Sequence, residues 1–281
     1  MYKRQVPIPQ GVDPGRFRPL DPATRTKVRR DELHVGDELV IGYFGRNSRH
    51  KRPDLALRAF AHLASGAYAI CGSCGHLTVA ELDHHVSFHP SATCRRCRGT
   101  ALMAAEPHPD AVLHLHTDVA DATARRVSGG FDLPLLARRL GVADRVRFDR
   151  TIGVGRGVPV ERLAARMAAV DVHVLLGEGG GWEMTVLETG ACGVPNIVTD
   201  HAGPATYAAP FARLIPVAQQ IIQPWGIEGI ADLDLAVQAL VDLTDPCERA
   251  RLGQAGPTTA AEYTWDVIGA RWHELLVGVA A

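Results

Sequence analysis

Apolar and polar positions follow two different rhythms along this chain, and each change of rhythm marks an element. Leu39 to Phe44 is a continuous apolar run that predicts a buried strand. After GRNSRHKRP, apolar residues recur at helical spacing at Leu55, Leu57, Ala59, Phe60 and Leu63, predicting a helix over 54–64. Strands follow at Ala111–Leu115 and Arg145–Phe148, with a helix between them at Leu133–Leu140 that Gly141 closes. Val160–Val170 reads as a helix ending at Asp171. Val170–Leu176 has strand character, and a glycine-rich loop follows it. Met184–Cys192 is then helical, with Met184, Val186, Leu187 and Ala191 apolar, and Gly193 and Pro195 end it before a strand at Asn196–Thr199. A last strand is expected within Phe211–Pro216, and residues 231–276 read as helical in three stretches. Residues 6–20, rich in Pro and Gly, form an extended lead-in with turns, and the polar stretch 21–37 reads as a loop.

Strands that alternate with helices predict an α/β fold with a doubly wound parallel sheet. The expected organisation is a lead-in over 1–36 and one nucleotide-binding α/β domain over 37–281, interrupted by an insertion over 70–99. In such sheets ligands bind beyond the carboxyl ends of the strands. Two glycine-containing loops, 45–50 and 177–183, fall at such ends and are expected to line one crevice. The second feeds a helix N-terminus, where free N–H groups without Cβ atoms in the way accept an anion.

Composition narrows the function classes. The 281 residues are 46% hydrophobic and 22% charged, which is a globular balance. The net charge of −1 gives no bulk attraction for nucleic acid, and none is expected as a partner. No run of 18 apolar residues predicts a transmembrane helix, and MYKRQVPIPQ lacks the apolar core of a signal peptide, so a cytoplasmic location is expected.

The chemistry-bearing residues sit in the two loops and the insertion. Arg46 and Lys51, five positions apart, offer a planar fork and a mobile point charge for the oxygens of a diphosphate. Glu188, near the start of the helix after the second loop, can accept hydrogen bonds from sugar hydroxyls. Cys71-x2-Cys74 and Cys94-x2-Cys97, separated by 19 residues, have zinc-ribbon spacing. Four thiolates make a closed tetrahedral site, so the expected cofactor is one structural Zn2+. Two disulfides are the alternative, which a cytoplasmic compartment disfavours. His76, His84, His85 and His89 lie between the pairs, most of them as surface residues, with replacement of one Cys ligand by a His as the alternative, and Arg95, Arg96 and Arg98 give the insertion a basic tip. His114, His116 and His173 are read as strand residues near the sheet end rather than a metal triad, Cys192 as core and Cys247 as inert.

Taken in order, these stretches resemble the C-terminal, donor-binding half of GT-B fold retaining glycosyltransferases of the family 4 type (glycosyl transferases group 1). IPQGVDPGRFRP (Ile8–Pro19) is similar to that family's interdomain segment, and Gly45-Arg46 with Lys51 and Asp54 to its diphosphate-binding loop. LGVADRVRF (Leu140–Phe148), the loop and helix over Asp171–Pro195, and Thr264-Trp265 match further stretches. The resemblance spans nearly the whole chain except 71 to about 99. It implies that Arg46 and Lys51 hold the diphosphate as a leaving group, so that no catalytic metal is expected. It also implies that Glu188 binds the ribose, and that Gly45, Glu178, Gly180, Gly181, Trp182, Glu183, Met184 and Thr185 line the substrate site. The expected ligands are a UDP- or GDP-sugar donor and an unidentified acceptor.

One departure bears on the chemistry. The family carries a second acid eight positions before the one matched by Glu188, and that position here is Gly180; Glu178 and Glu183 flank it. Thr206 stands where the family often has an acid, with Asp200 and His201 nearby as polar candidates. The competing readings are a catalytically inactive nucleotide-sugar-binding or zinc-ribbon interaction module, and a GT-B-like sugar-nucleotide 2-epimerase. Because the interdomain-like segment lies at 6–19, the acceptor domain is expected on another chain or stretch. Trp265, Val267 and Trp272 on the last helix would then mark the face that meets it or self-associates.

Overall fold

The structure is a computed structural model and describes residues 7–82, 88–89, 91–119, 129–153, 156–224 and 226–280. In chain order the elements are α1 (Pro22–Val28), β1 (Leu39–Phe44), α2 (Pro53–Ser65), β2 (Tyr68–Cys71), β3 (Leu77–Val79), β4 (Glu81–Leu82), β5 (Phe88–His89), β6 (Leu102–Ala104) and β7 (Ala111–His116). They continue with α3 (Leu133–Arg139), β8 (Val146–Phe148), α4 (Val160–Ala169), β9 (Val172–Leu175), α5 (Met184–Ala191), β10 (Asn196–Thr199), β11 (Ala212–Ile215), β12 (Val217–Gln223) and β13 (Gly226–Ala231). Four helices close the chain: α6 (Leu233–Asp242), α7 (Pro246–Gly253), α8 (Ala255–Ala261) and α9 (Trp265–Ala280).

Six strands form one parallel sheet in the order β11-β10-β9-β1-β7-β8. From β1 the chain runs outward through β7 to β8, then crosses back to β9 on the other side of β1 and continues outward to β11. The order therefore reverses between β1 and β9, which are hydrogen-bonded neighbours, with Ile41 beside Val172. Helices α2, α3 and α6 pack together as one layer, and α1, α4, α5 and α8 as the other. The strands are apolar on both faces, and Val40, Ile41, Phe44, Leu113, Leu115, Val174, Ile197 and Val198 are buried between the layers. This is the doubly wound sheet that the alternation predicts.

Two segments differ from the sequence reading. The stretch 21–37 is not a loop. Asp21 caps α1 by accepting from the Thr24 N–H, Pro22 fits the first turn, and a π-helical turn over Arg29–Leu33 continues it. Apart from Ala23, only Val28, Leu33 and Val35 supply apolar signal there. The segment is held by charge instead, with Arg25 and Arg29 pairing with Asp171 at 2.7 and 3.0 Å. The second difference is an antiparallel hairpin, β12–β13, beyond the expected last strand.

The insertion builds its own three-stranded sheet, β3-β2-β6, and a short β4–β5 pair. Of the histidines read between its cysteine pairs, His84 and His85 lie outside the described residues.

Candidate functional site

The two loops at the switch point meet. The loop after β1 turns through Arg49–Lys51, and Arg52 adopts a left-handed conformation (φ 49°) so that Pro53 can open α2. Buried Asn47 anchors this loop by exchanging hydrogen bonds with the Phe131 backbone at 2.9 and 3.0 Å. The loop after β9 is stitched to it by the Glu178 N–H donating to the His50 carbonyl at 2.8 Å.

Charge fixes the junction. Glu178 is buried, and its two carboxylate oxygens accept from Arg49 and Arg52, each at 2.9 Å. Arg52 also forks onto Asp54 at 2.9 and 2.8 Å. The other terminal nitrogen of Arg49 reaches Glu228 on β13 at 2.9 Å, and the Gly229 N–H donates to the Glu178 carbonyl at 2.7 Å. The hairpin is thus tied to both loops. A cavity of about 800 Å³ opens here, lined by Arg49, Gly179, Gly180, Gly181, His201 and Ile227 among others.

Lys51 and Glu183 form the second junction. Lys51 Nζ lies 2.6 and 2.5 Å from the two carboxylate oxygens of Glu183, whose backbone is left-handed at φ 58°. A Cβ at position 180 would lie 1.8 Å from Glu183 Oε1, so the volume of a side chain at 180 is filled by the Glu183 carboxylate. Gly203 is required by a similar approach, since a Cβ there would meet the Gly181 carbonyl at 2.3 Å. Tyr207 Oη donates to the Trp182 and Glu183 carbonyls at 2.7 and 2.9 Å, and its ring lies 4.4 Å from that of Trp182, fixing the approach to α5.

Of the residues expected from sequence, the structure brings together Lys51, Glu178, Gly180, Gly181, Trp182 and Glu183 around the junction, with Met184 and Thr185 opening α5 beside them. Gly45 and Arg46 stand at the start of the first loop, and the Arg46 side chain is exposed. Glu188 lies one turn further along α5, where burial pushes its carboxyl up to about 7. His201 turns to the hairpin, its Nε2 2.9 Å from the Ile227 carbonyl. Arg49, Arg52 and Glu228 are site residues that the sequence reading missed. A further glutamate and two extra arginines beside Lys51 were the signal, but their partners lie more than a hundred residues away.

Among the described residues, two groups have ligand atoms close enough for a metal ion: Cys71, Cys74, Cys94 and Cys97, and separately His114, His116 and Asp149. In the second group Asp149 is already committed. One carboxylate oxygen contacts both His116 Nδ1, at 2.8 Å, and Arg166, and the other accepts from Thr151. Its charge is therefore already balanced by the Arg166 guanidinium. His114 is buried and pushed down to about 4 by burial, hence neutral, and packs with His116 and His173 around the Phe44 ring at centroid distances of 5.5–6.3 Å. The three histidines are strand residues, as read, but Asp149 was not foreseen among them. Cys192 is buried.

No protein-family model matches the chain. It is 29% identical over 201 residues to a D-inositol 3-phosphate glycosyltransferase of Geodermatophilus obscurus, covering 72% of this chain and 34% of that protein. It is 28% identical over 261 residues to D-inositol 3-phosphate glycosyltransferase 2 of Catenulispora acidiphila, covering 92% and 47%. The chain thus spans less than half the length of these curated relatives. Among solved structures it superposes on sucrose-phosphate synthase from Thermosynechococcus elongatus with a TM-score of 0.65 at 19% identity, over 97% of this chain and 52% of that one. HepE of Anabaena, solved with UDP and glucose, gives 0.62 at 14% identity, over 95% and 55%. The C-terminal domain of a Francisella tularensis glycosyl transferase group 1 family protein gives 0.57 at 15% identity, over 91% of this chain and all of that one. The chain is thus a homologue of proteins named as glycosyltransferases and carries the C-terminal, Rossmann-like half of the GT-B fold.

Proposed function

We propose that this chain supplies the donor-binding half of a retaining glycosyltransferase that takes a sugar from a UDP- or GDP-sugar. The observation that carries the reading is the convergence of Lys51 and the Gly179–Gly181 loop at the switch point of the sheet. A diphosphate seated there meets a cation and the N–H groups that open α5. Positive charge aimed at a departing diphosphate stabilises the negative charge that develops as the glycosidic bond breaks. Arg46, exposed at the start of the same loop, adds a second cation. No step of this scheme needs a metal ion. Glu188 faces the ribose hydroxyls, and Glu183 provides the carboxylate that position 180 lacks, placed to contact the transferred sugar. Glu178 instead holds the loops together. The Anabaena neighbour solved with UDP-glucose supports a UDP-sugar as the first donor to try.

Trp265, Trp272, Leu276 and Val277 are exposed along α9, and this stripe fits an acceptor domain or a second copy of the chain.

The test is calorimetry with UDP, GDP and their glucose and mannose conjugates, on the wild type and on Lys51→Ala. Binding of one conjugate that the variant weakens supports the reading. Affinity that is absent for all ligands, or unchanged in the variant, would remove it.

A further inference from the structure

The insertion between α2 and β7 takes no part in the proposed donor site, yet it holds the larger of the two clusters of metal-ligating atoms among the described residues. We propose that Cys71, Cys74, Cys94 and Cys97 bind one zinc ion, and that the unit it closes is fastened to the α/β body through Asp234.

The two cysteine pairs sit on matching turns. After Cys74, Gly75 is left-handed (φ 71°) and its N–H donates to the Cys71 carbonyl at 2.8 Å. After Cys97, Arg98 is left-handed (φ 63°) and its N–H donates to the Cys94 carbonyl at 2.9 Å. A glycine makes this turn freely, whereas an arginine does so at a cost that something must offset. Two such turns, facing each other, point four sulfurs into one volume.

The sulfur geometry suits a metal. The ligand atoms of the four cysteines all lie within 4.8 Å of one another. Cys71 and Cys97 are 3.5 Å apart at sulfur, and Cys74 and Cys94 3.7 Å. A tetrahedral ion with Zn–S bonds of about 2.3 Å separates its sulfurs by roughly 3.8 Å. A disulfide requires about 2.05 Å. The close pairs, moreover, join one turn to the other, as a shared central ion demands.

The insertion also needs such a staple. Its sheet consists of three strands of four, three and three residues, and its buried apolar side chains Tyr68, Leu77 and Val79 pack into the core of the body, which leaves the two cysteine turns without an apolar core of their own. A unit of this size buries too little to hold itself together.

Asp234, in the first turn of α6, ties both turns to the body. Its Oδ1 accepts from the Val79 N–H at 3.0 Å and from Arg95 at 2.9 Å, and His76 Nε2 lies 3.5 Å from Oδ2. His76 follows the first turn and Arg95 lies within the second. His76 is thereby directed to the carboxylate rather than to the sulfurs, which leaves the four thiolates as the ligand set.

The experiment measures metal in the full chain, purified without chelator, by elemental analysis, and then exchanges it for cobalt. One zinc per chain, with intense thiolate-to-cobalt charge-transfer bands and tetrahedral d–d absorption after exchange, is expected. Cys71→Ser and Cys97→Ser should lose most of the zinc, and Cys247→Ser none. Asp234→Asn should keep the zinc but raise amide exchange over 77–79 and at the start of α6 together. A wild-type chain without zinc, whether its thiols are free or paired as disulfides by mass spectrometry, overturns the site. Cobalt spectra lacking thiolate bands overturn the ligand set, and both readouts need only the wild type. Unchanged exchange in Asp234→Asn overturns the anchoring.

Discussion

The Lys51 ammonium grips both carboxylate oxygens of Glu183, and that carboxylate sits where a side chain on residue 180 would begin. The contact joins the loop after β1 to the loop after β9, across the point where strand order reverses. A glycine at 180 and a left-handed glutamate three residues on are thus one arrangement. The backbone turn at Glu183 sends its side chain back over Gly180, and the missing Cβ makes room for it.

Lys51→Ala should weaken nucleotide diphosphate binding about ten- to a hundred-fold, from the roughly 1.5–3 kcal/mol of a charge-assisted hydrogen bond. Arg46→Ala should act in the same direction. Gly180→Ala forces the Glu183 carboxylate off Lys51 and should alter sugar-nucleotide affinity more than that of the bare nucleotide. Calorimetry on the three variants decides this. Equal losses for both ligands in Gly180→Ala would show that Glu183 does not reach the sugar.

Glu188 gives the site a pH dependence. Burial raises its carboxyl from an ordinary 4.5 to about 7, so the folded protein holds this proton more tightly than the unfolded chain. Stability should therefore fall as pH rises from about 4.5 to about 7, by at most roughly 3 kcal/mol, and level off above. Glu188→Gln should flatten that slope. Because the charged carboxylate is the stronger acceptor for ribose hydroxyls, nucleotide affinity should rise through pH 7 in the wild type only, and more for ribose than for deoxyribose. Denaturation and binding measured from pH 5 to 8.5 read both effects.

The sheet and both loops are legible in the sequence because they rest on local signals: apolar runs and the glycines at the strand ends. The four cysteines are legible for the same reason. What is missed depends on distant partners. Arg25 and Arg29 order α1 and the following turn by reaching Asp171, and no nearby residue announces it. Glu178 is read as a residue lining the substrate site, but its contacts with Arg49 and Arg52 are not foreseen. The hairpin is obscured because VAQQIIQ and GIEGIA hold exposed apolar residues, Ile222 and Ile227 among them, and so lack a clean two-residue alternation.

Asp149 and Arg166 form a buried ion pair beside His116. Burial pushes the Asp149 carboxyl up, but hydrogen bonds from His116 and Thr151 and the Arg166 charge outweigh this and hold it well below the usual range. Asp149→Ala leaves the buried guanidinium with only the more exposed Glu32, at 2.9 Å, and the Thr151 hydroxyl, at 3.3 Å. The expected cost is about 3 kcal/mol, or a Tm lower by roughly 5–10 °C. Replacing both members with Leu and Met should recover much of the loss, since no buried charge is then left unpaired. Thermal unfolding of the single and double variants separates these outcomes, and a double variant no better than the single one contradicts the account.

Helix α9 carries an exposed apolar stripe. Trp265, Trp272 and Leu276 recur seven and four residues apart, which sets them on one side of the helix, and they are 54%, 48% and 63% exposed. Ile268, by contrast, is fully buried and fastens the helix to the body. The bridge between Val12 and Thr264 ties the start of the helix to the lead-in segment, so the stripe is presented from a fixed base. An apolar surface held this rigidly loses little entropy on being covered. The purified chain should therefore self-associate with rising concentration. Trp272→Glu combined with Leu276→Glu should suppress that association while leaving nucleotide binding unchanged, because both residues lie outside the loops that line the cavity proposed for the donor. Sedimentation velocity across a concentration series, with calorimetry alongside, tests both halves. A wild type that stays monomeric throughout, or a double variant that loses nucleotide affinity, would show that this face serves the chain's own fold instead of a partner.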